Sequence, residues 1–289
     1  MSDEERSPEP GDLSERLKER IVNEQERLGP DDTFQFSCHP GISCFNNCCA
    51  DVNIFLSPYD VLRLKKRLGM TTTEFLQKHA LLPVQKDMPT PVVLLRMEDN
   101  EDKTCPFLTP EGCGVYSDRP WPCRMYPLGL ASSKDTEDGW QGERFYFLLE
   151  EEGCRGFCES GGKEWTVREW MDDQGVDEYD RWGEAYKELA LHESFQEGNT
   201  LPPEKMEMFF TATYDLDKFR QFVFESTFLD RFEVDEDQIE EMRYSDEALL
   251  RFGVLWLRFA LFGEKTMRVR PRVAEAFKGQ VSKQALAEK

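Results

Sequence analysis

The chain has 289 residues, of which 39% are hydrophobic and 32% are charged, a composition typical of a globular protein and not of a collagen-like or disordered one. Acidic residues outnumber basic residues by 57 to 36, which gives a net charge of −21. Because nucleic-acid phosphates and anionic lipids bind basic surfaces, this charge argues against nucleic-acid and membrane binding. The length suits one large or two modest domains.

The sequence predicts a cytoplasmic protein without a membrane span. The longest apolar stretch, 248–263, is interrupted by Arg251 and Arg258, and an arginine at the centre of a span costs about 2.5 kcal/mol or more. The first residues lack the basic start and the apolar core of a secretion signal. Thiols stay reduced in the cytoplasm, so disulfides are not the expected role of the cysteines.

Residues 1–32 form an acidic N-terminal arm with 11 acidic and five basic side chains. A stripe at intervals of three or four residues predicts one amphipathic helix in this arm. The stripe comprises Leu13, Leu17, Ile21, Glu24 and Leu28. Gly29 and Pro30 are expected to end the helix. It either packs on the main body or serves as a partner-binding arm.

Residues 33–165 carry every cysteine and most of the turn-forming residues. Phe34 and Phe36 alternate as in a short strand, and the apolar runs 91–97 and 145–149 also predict strands. A hydroxyl residue three positions before an acid is a helix-capping signal, and it occurs twice. The two signals are Ser57 with Asp60, for a helix ending at Gly69, and Thr71 with Glu74, for a short second helix.

From residue 166 onward the pattern becomes helical. Five segments have apolar residues at helical spacing: 166–171, 178–192, 203–211, 215–232 and 246–262. The predicted fold class is therefore α+β. A small metal-organised cysteine-cluster domain with short strands and helices (33–165) precedes a mainly helical C-terminal region (166–289) that ends in a short basic tail.

Half of the net negative charge lies in one segment. Residues 135–180 contain 15 acidic and four basic side chains. The simplest interpretation is a solvated loop and helix face. The alternative is a docking surface for a basic protein partner or protein substrate.

Nine cysteines lie in the first 158 residues, and none follows. They are Cys38, Cys44, Cys48, Cys49, Cys105, Cys113, Cys123, Cys154 and Cys158. Clustered cysteines in a cytosolic chain indicate a metal site, because thiolates are soft ligands that favour zinc or iron–sulfur clusters. The alternative is that they are buried structural thiols.

The spacing suggests how the sulfurs could converge. Cys44 and Cys48 are four residues apart, which on a helical turn places both sulfurs on one side, while Cys49 would point about 100° away. Cys154 and Cys158 repeat this spacing beside glycines.

Four prolines and two glycines between Cys105 and Cys123 exclude a long helix or a central strand there. Such a loop is expected to bury little apolar surface and to need metal ligation by its cysteines. Arg119 and Arg124 would lower the pKa of these thiols, or bind an anionic substrate group.

Several common metal motifs are absent from the sequence. There is no Cys-x2-Cys, so zinc ribbons and the usual ferredoxin run are excluded. Asp51 stands where a Cys-x3-Cys-x2-Cys radical-cluster motif needs its third cysteine. His39, beside Cys38, is either a ligand or a solvent-facing histidine.

The cysteine segments resemble the YkgJ-type cysteine-cluster family, described as a zinc- or iron-chelating domain. The resemblance covers about residues 34–130 and extends toward Cys158. It rests on Phe36-Ser37-Cys38, Cys44, Cys48-Cys49, Asp60, Cys105-Pro106-Phe107-Leu108, Gly112-Cys113, Val115-Tyr116, Arg119-Pro120 and Cys123-Arg124-Met125-Tyr126-Pro127. The family includes flagellin lysine-N-methylases, so the resemblance implies an iron–sulfur cluster and S-adenosylmethionine as a methyl donor.

Three functions fit these observations. The first is an enzyme with an iron–sulfur cluster, [4Fe–4S] favoured, for redox work or methyl transfer to a protein, with a pocket lined by Arg119, Arg124, Tyr116 and Tyr126. The second is a structural zinc module that supports protein–protein interaction, and the third is metal storage or sensing. The cluster is preferred over zinc because nine thiols exceed what one zinc ion needs and histidine is scarce.

Overall fold

The computed structural model describes residues 26–83, 88–132, 144–151, 153–157, 162–195 and 199–275. These residues form helices and short antiparallel strand pairs, which confirms the predicted α+β class. The chain divides into two compact units made of interleaved segments. Unit 1 comprises 1–50, 109–112 and 122–177, and unit 2 comprises 51–108, 113–121 and 178–289. The domain boundaries at 32/33 and 165/166 stay predictions.

The helices and strands are numbered in chain order. The α-helices are α1 (Pro58–Leu68), α2 (Thr72–His79), α3 (Trp121–Met125), α4 (Val167–Gln174), α5 (Val176–Ala190), α6 (Pro203–Thr213), α7 (Leu216–Glu225), α8 (Phe228–Arg231), α9 (Glu236–Tyr244) and α10 (Asp246–Phe262). The strands are β1 (Thr33–Gln35), β2 (Ala80–Leu81), β3 (Leu94–Leu95), β4 (Leu108–Thr109), β5 (Gly112–Cys113), β6 (Leu128–Ser132), β7 (Arg144–Leu148), β8 (Glu164–Thr166), β9 (Phe232–Glu233) and β10 (Arg268–Val269).

Unit 1 is built on two strand pairs, β1 with β8 and β6 with β7, both antiparallel. The predicted alternation at its start is confirmed, because Phe34 and Phe36 are both buried. Leu28 forms a β-bridge with Tyr146, so the prediction that the N-terminal helix reaches Leu28 is wrong. Backbone hydrogen bonding to Tyr146 in both directions holds this residue extended. The rest of that predicted helix lies outside the described residues.

Both predicted capping signals of unit 2 are confirmed. The Ser57 side chain accepts a hydrogen bond from the Asp60 backbone, and the Asp60 carboxylate accepts one from the Ser57 backbone. α1 then ends at Gly69, whose φ of 65° is the left-handed conformation that glycine adopts without strain. Thr71 and Glu74 make the same reciprocal pair at the start of α2.

The helices of unit 2 enclose an aromatic core. Phe209, Phe219, Leu249 and Leu257 are completely buried there. The predicted helix 215–232 is divided into α7 and α8, because the Ser226 hydroxyl donates to one carbonyl in α7 and accepts from the first N–H of α8. The helix α9 was not predicted from the sequence, and the predicted strand 91–97 is reduced to β3.

Among the described residues, no helix has both the length and the apolar character needed to cross a membrane.

Candidate metal centre

The first cysteine segment is a series of turns and not a regular helix. Asn46 has a φ of 74°, and the short 3₁₀ turn Asn47–Cys49 follows it. A left-handed residue interrupts helical geometry, so the prediction that Cys44 and Cys48 share one side of a helical turn is wrong. Asparagine tolerates this conformation better than most residues, and the Asn-Asn pair was the sequence signal for it.

Cys48 and Cys49 interact with each other. The pKa of Cys48 is lowered to about 7, and the largest cause is a hydrogen bond from the Cys49 thiol. Burial has the opposite, smaller effect and raises this pKa. Cys49 therefore does not point away from Cys48, as its position on a helix would have required. The lowered pKa favours the thiolate of Cys48, which is the metal-binding form.

The segment 153–157 packs against the first cysteine segment. The backbone N–H of Arg155 donates to the Cys44 sulfur at 3.1 Å, and the backbone N–H of Ser37 donates to the Gly156 carbonyl at 3.1 Å. A Cβ atom on Gly156 would lie 2.4 Å from the Phe36 ring, so only glycine permits this close packing. These contacts bring the Cys154 region to Cys44. Cys158 lies outside the described residues.

α3 brings Cys123 into unit 1 as a partly buried thiol. The next residue, Arg124, is buried, and its Nη1 donates to the Gln174 carbonyl at the end of α4, at 2.6 Å. The Trp170 indole N–H donates to the Met125 carbonyl at 3.3 Å. Arg124 thus makes a helix-terminal contact, and its predicted role in substrate binding stays a prediction.

Tyr126 follows α3 and has a cis peptide bond to Pro127. Its hydroxyl oxygen is buried, and no hydrogen-bond partner with acceptable geometry exists for it among the described residues. Burial raises the pKa of Tyr126, and the neighbouring Cys154 raises it further, with smaller contributions from Glu151 and Cys48. The hydroxyl therefore lies beside the Cys154 thiol, and Cys48 is close enough to act on it electrostatically.

The turn between Thr109 and Gly112 contacts the first cysteine segment. The Asn46 Nδ2 donates to the Thr109 carbonyl at 3.1 Å. Gly112 has a φ of 120°, and a Cβ atom there would lie 3.1 Å from the Phe45 ring. Asn46 thus combines a left-handed backbone with a side-chain tether just before Cys48, a role that was not predicted from the sequence.

Cys105 and Cys113 lie in unit 2 and pack against its hydrophobic core. Burial is the main influence on Cys105 and raises its pKa. Phe107 and Val115, in the same proline-rich loop, are 7% and 3% exposed. The expectation that this loop buries little apolar surface is therefore wrong, since short turns let individual side chains reach the core without a regular helix or strand.

The remaining candidate residues lie in two separate segments of the chain, one with Tyr116 and Arg119 and one with Cys38 and His39. Tyr116 is exposed, and the guanidinium carbon of Arg119 lies 3.9 Å from the centre of its ring. Cys38 and His39 are exposed in unit 1, where His39 Nδ1 accepts a hydrogen bond from the Gly41 backbone at 3.1 Å. This local bond is what a solvent-facing histidine makes.

Residues 37–155 match a protein-family model described as "CxxCxxCC: Putative zinc- or iron-chelating domain". These residues form a CxxCxxCC domain. The match confirms the family that the motif resemblance indicated, and it includes every cysteine except Cys158. Searches of curated proteins and of solved structures found no match to the chain.

The CxxCxxCC domain has a donor set that suits zinc or iron. Six of its cysteines lie in the described part of unit 1: Cys38, Cys44, Cys48, Cys49, Cys123 and Cys154. Within the described ranges, no three His, Cys, Asp or Glu side chains already converge as a metal site. A buried hydroxyl beside the Cys154 thiol is nevertheless a feature that a thiolate-bound metal explains, because a metal-bound sulfur is a strong hydrogen-bond acceptor.

Proposed function

We propose that the CxxCxxCC domain holds an iron–sulfur cluster through the thiolates of unit 1 and uses it for redox work or for methyl transfer to a protein. The observation that carries this proposal is the position of the Tyr126 hydroxyl, which is buried beside Cys154 and has no well-oriented hydrogen-bond partner among the described residues.

The residues that would hold the cluster are Cys44, Cys48, Cys49 and Cys154, hereafter the loop cysteine cluster. Cys48 has a lowered pKa, and backbone contacts join Cys44 to the segment that carries Cys154. Cys38, Cys123 and Cys158 are further candidates for the same unit. An iron–sulfur cluster would supply one-electron transfer, or reductive activation of S-adenosylmethionine in the methyl-transfer case.

The composition of the site favours iron–sulfur over zinc. One zinc ion needs four ligands, and structural zinc sites often combine cysteine with histidine. Unit 1 offers more than four thiols, and its one described histidine, His39, is engaged with the Gly41 backbone. A [4Fe–4S] cluster, which takes four thiolates, fits a sulfur-only donor set.

A structural zinc module is the second candidate. The strands of the matched domain are only two to five residues long, so a metal that ties its turns together would stabilise them. In that case the partner of the module would be a basic protein, since Asp172 and Asp173 of α4 are exposed within the acidic segment 135–180.

Anaerobic purification followed by elemental analysis and a visible spectrum tests the proposal. An iron–sulfur protein contains iron and sulfide in similar amounts and has a broad absorption that bleaches on reduction. A colourless protein with one zinc per chain would support the structural module instead, and a protein without metal would contradict both. Calorimetry with S-adenosylmethionine then separates methyl transfer, which requires binding, from redox work.

A further inference from the structure

We infer that Tyr126 is a positioning residue for the metal centre, whose hydroxyl donates a hydrogen bond to the Cys154 sulfur when that sulfur is a metal-bound thiolate. The inference rests on metal binding in the proposed function and does not depend on which metal is bound.

The Tyr126 hydroxyl carries an energetic cost if it stays unpaired. The Tyr126 hydroxyl oxygen is buried, and the described residues offer it no well-oriented partner. A buried polar group without a partner costs about 1–3 kcal/mol. A phenylalanine would fill the same space without that cost, so the hydroxyl calls for an acceptor that is present in the functional state.

The packing around Phe36 points to Cys154 as the acceptor. The Tyr126 ring packs edge-on against Phe36, with ring centroids 5.9 Å apart. Phe36 also contacts Phe157 at 5.1 Å and closely covers Gly156. Tyr126 and the segment after Cys154 therefore pack against one buried ring, and the thiol next to the Tyr126 hydroxyl is that of Cys154.

Metal binding changes the hydrogen-bonding capacity of a cysteine sulfur. A cysteine loses its proton when it binds a metal, and the thiolate accepts hydrogen bonds much better than the thiol does. A donor to a metal-bound sulfur withdraws electron density from it, which raises the reduction potential of the centre and tunes ligand-to-metal charge transfer. Metal binding would thus supply a strong acceptor for the Tyr126 hydroxyl, which has no well-oriented partner in the described part of the chain.

The test compares the wild type with Tyr126→Phe after reconstitution with cobalt(II), whose thiolate charge-transfer bands report on the sulfur. We expect Tyr126→Phe to keep its cobalt stoichiometry, to show these bands at lower energy, and to bind the metal about tenfold more weakly. If the native centre is redox-active, its midpoint potential becomes more negative. Tyr244→Phe is the matched control, because Tyr244 is 82% exposed on α9.

Identical band positions and affinities in the wild type and in Tyr126→Phe would overturn the inference while leaving metal binding intact. A wild type that binds neither cobalt nor its native metal would overturn both. A second comparison protects against a folding defect in Tyr126→Phe: the hydroxyl should have no effect on the spectrum in a Cys154→Ala background. A spectral shift that persists there would place the acceptor elsewhere and overturn the assignment to Cys154.

Discussion

The loop cysteine cluster of unit 1 and the pair Cys105 and Cys113 of unit 2, hereafter the core cysteine pair, present the same side chain in opposite surroundings. In the first, a hydrogen bond from Cys49 lowers the pKa of Cys48. In the second, burial raises the pKa of Cys105. The comparison shows that cysteine spacing alone does not decide which thiols are ready to bind a metal.

The difference follows from the neighbours of each sulfur. In unit 1, the backbone N–H of Arg155, in the segment 153–157, donates a hydrogen bond to the Cys44 sulfur. The core cysteine pair packs against the apolar cluster that contains Phe107 and Val115, and apolar surroundings disfavour a thiolate. The first arrangement suits metal ligands, and the second suits small hydrophobic residues.

The strongest test replaces one thiol in each region. We expect Cys48→Ser to weaken metal binding on the order of 100-fold, because structural metal sites gain about 3 kcal/mol per thiolate ligand. Cys105→Ala should bind metal as the wild type does if the core cysteine pair only packs. Elemental analysis and competition with a chromophoric chelator measure both.

A loss of metal in Cys105→Ala as large as that in Cys48→Ser would contradict the division of the cysteines into metal ligands and packing residues. The core cysteine pair would then belong among the metal ligands, as the sequence predicts for all nine cysteines.

The next effect is on stability. Cys105→Ser puts a hydroxyl where a thiol packs against the core, and a buried hydroxyl without a partner costs about 1–3 kcal/mol. Cys105→Ala removes the sulfur without adding a polar group and should cost less. Urea unfolding of the metal-free protein followed by circular dichroism measures the free energy of unfolding. Equal stability of the two variants would mean that the site is wetter than its burial indicates.

Local signals in the sequence were sufficient where short-range bonding decides the structure. The capping pair Ser57 and Asp60 gave the correct start of α1, and the alternation of Phe34 with Phe36 gave the correct buried faces. Chemistry between neighbours in sequence determines both features. The end of α10 at Phe262 was also predicted correctly from the local sequence.

Local sequence patterns could not predict features that depend on a single backbone angle or on partners far away in the sequence. The direction of the Cys48 and Cys49 side chains depends on the φ of Asn46, and the place of Leu28 depends on pairing with Tyr146. The cysteine motif predicted the family and its metal chemistry. It could not predict that Cys105 packs against a core formed by residues far from it in sequence.

Asn46 offers a smaller test of the loop cysteine cluster. Asn46→Ala loses both the tether to Thr109 and tolerance of the left-handed conformation, and we expect it to cost about 1–2 kcal/mol. Asn46→Gly keeps the backbone conformation and should recover part of that loss. Asn47→Ala, at the exposed neighbouring position, is the control. If Asn46→Ala matches Asn47→Ala in both unfolding free energy and metal affinity, the turn is held by other contacts.

The smallest effect is a change in thiol reactivity with pH. In the reduced, metal-free protein, alkylation of Cys48 should rise through a midpoint near pH 7, because its thiolate forms above the lowered pKa. Cys105 should react only at higher pH, since burial raises its pKa.

Cys49→Ala removes the hydrogen bond that stabilises the Cys48 thiolate, so the pKa of Cys48 should rise. At pH 7 its alkylation should then slow on the order of tenfold. Peptide mass spectrometry assigns the rates to individual cysteines. A Cys48 midpoint that does not move in Cys49→Ala would mean that backbone N–H groups, and not the neighbouring thiol, stabilise the thiolate.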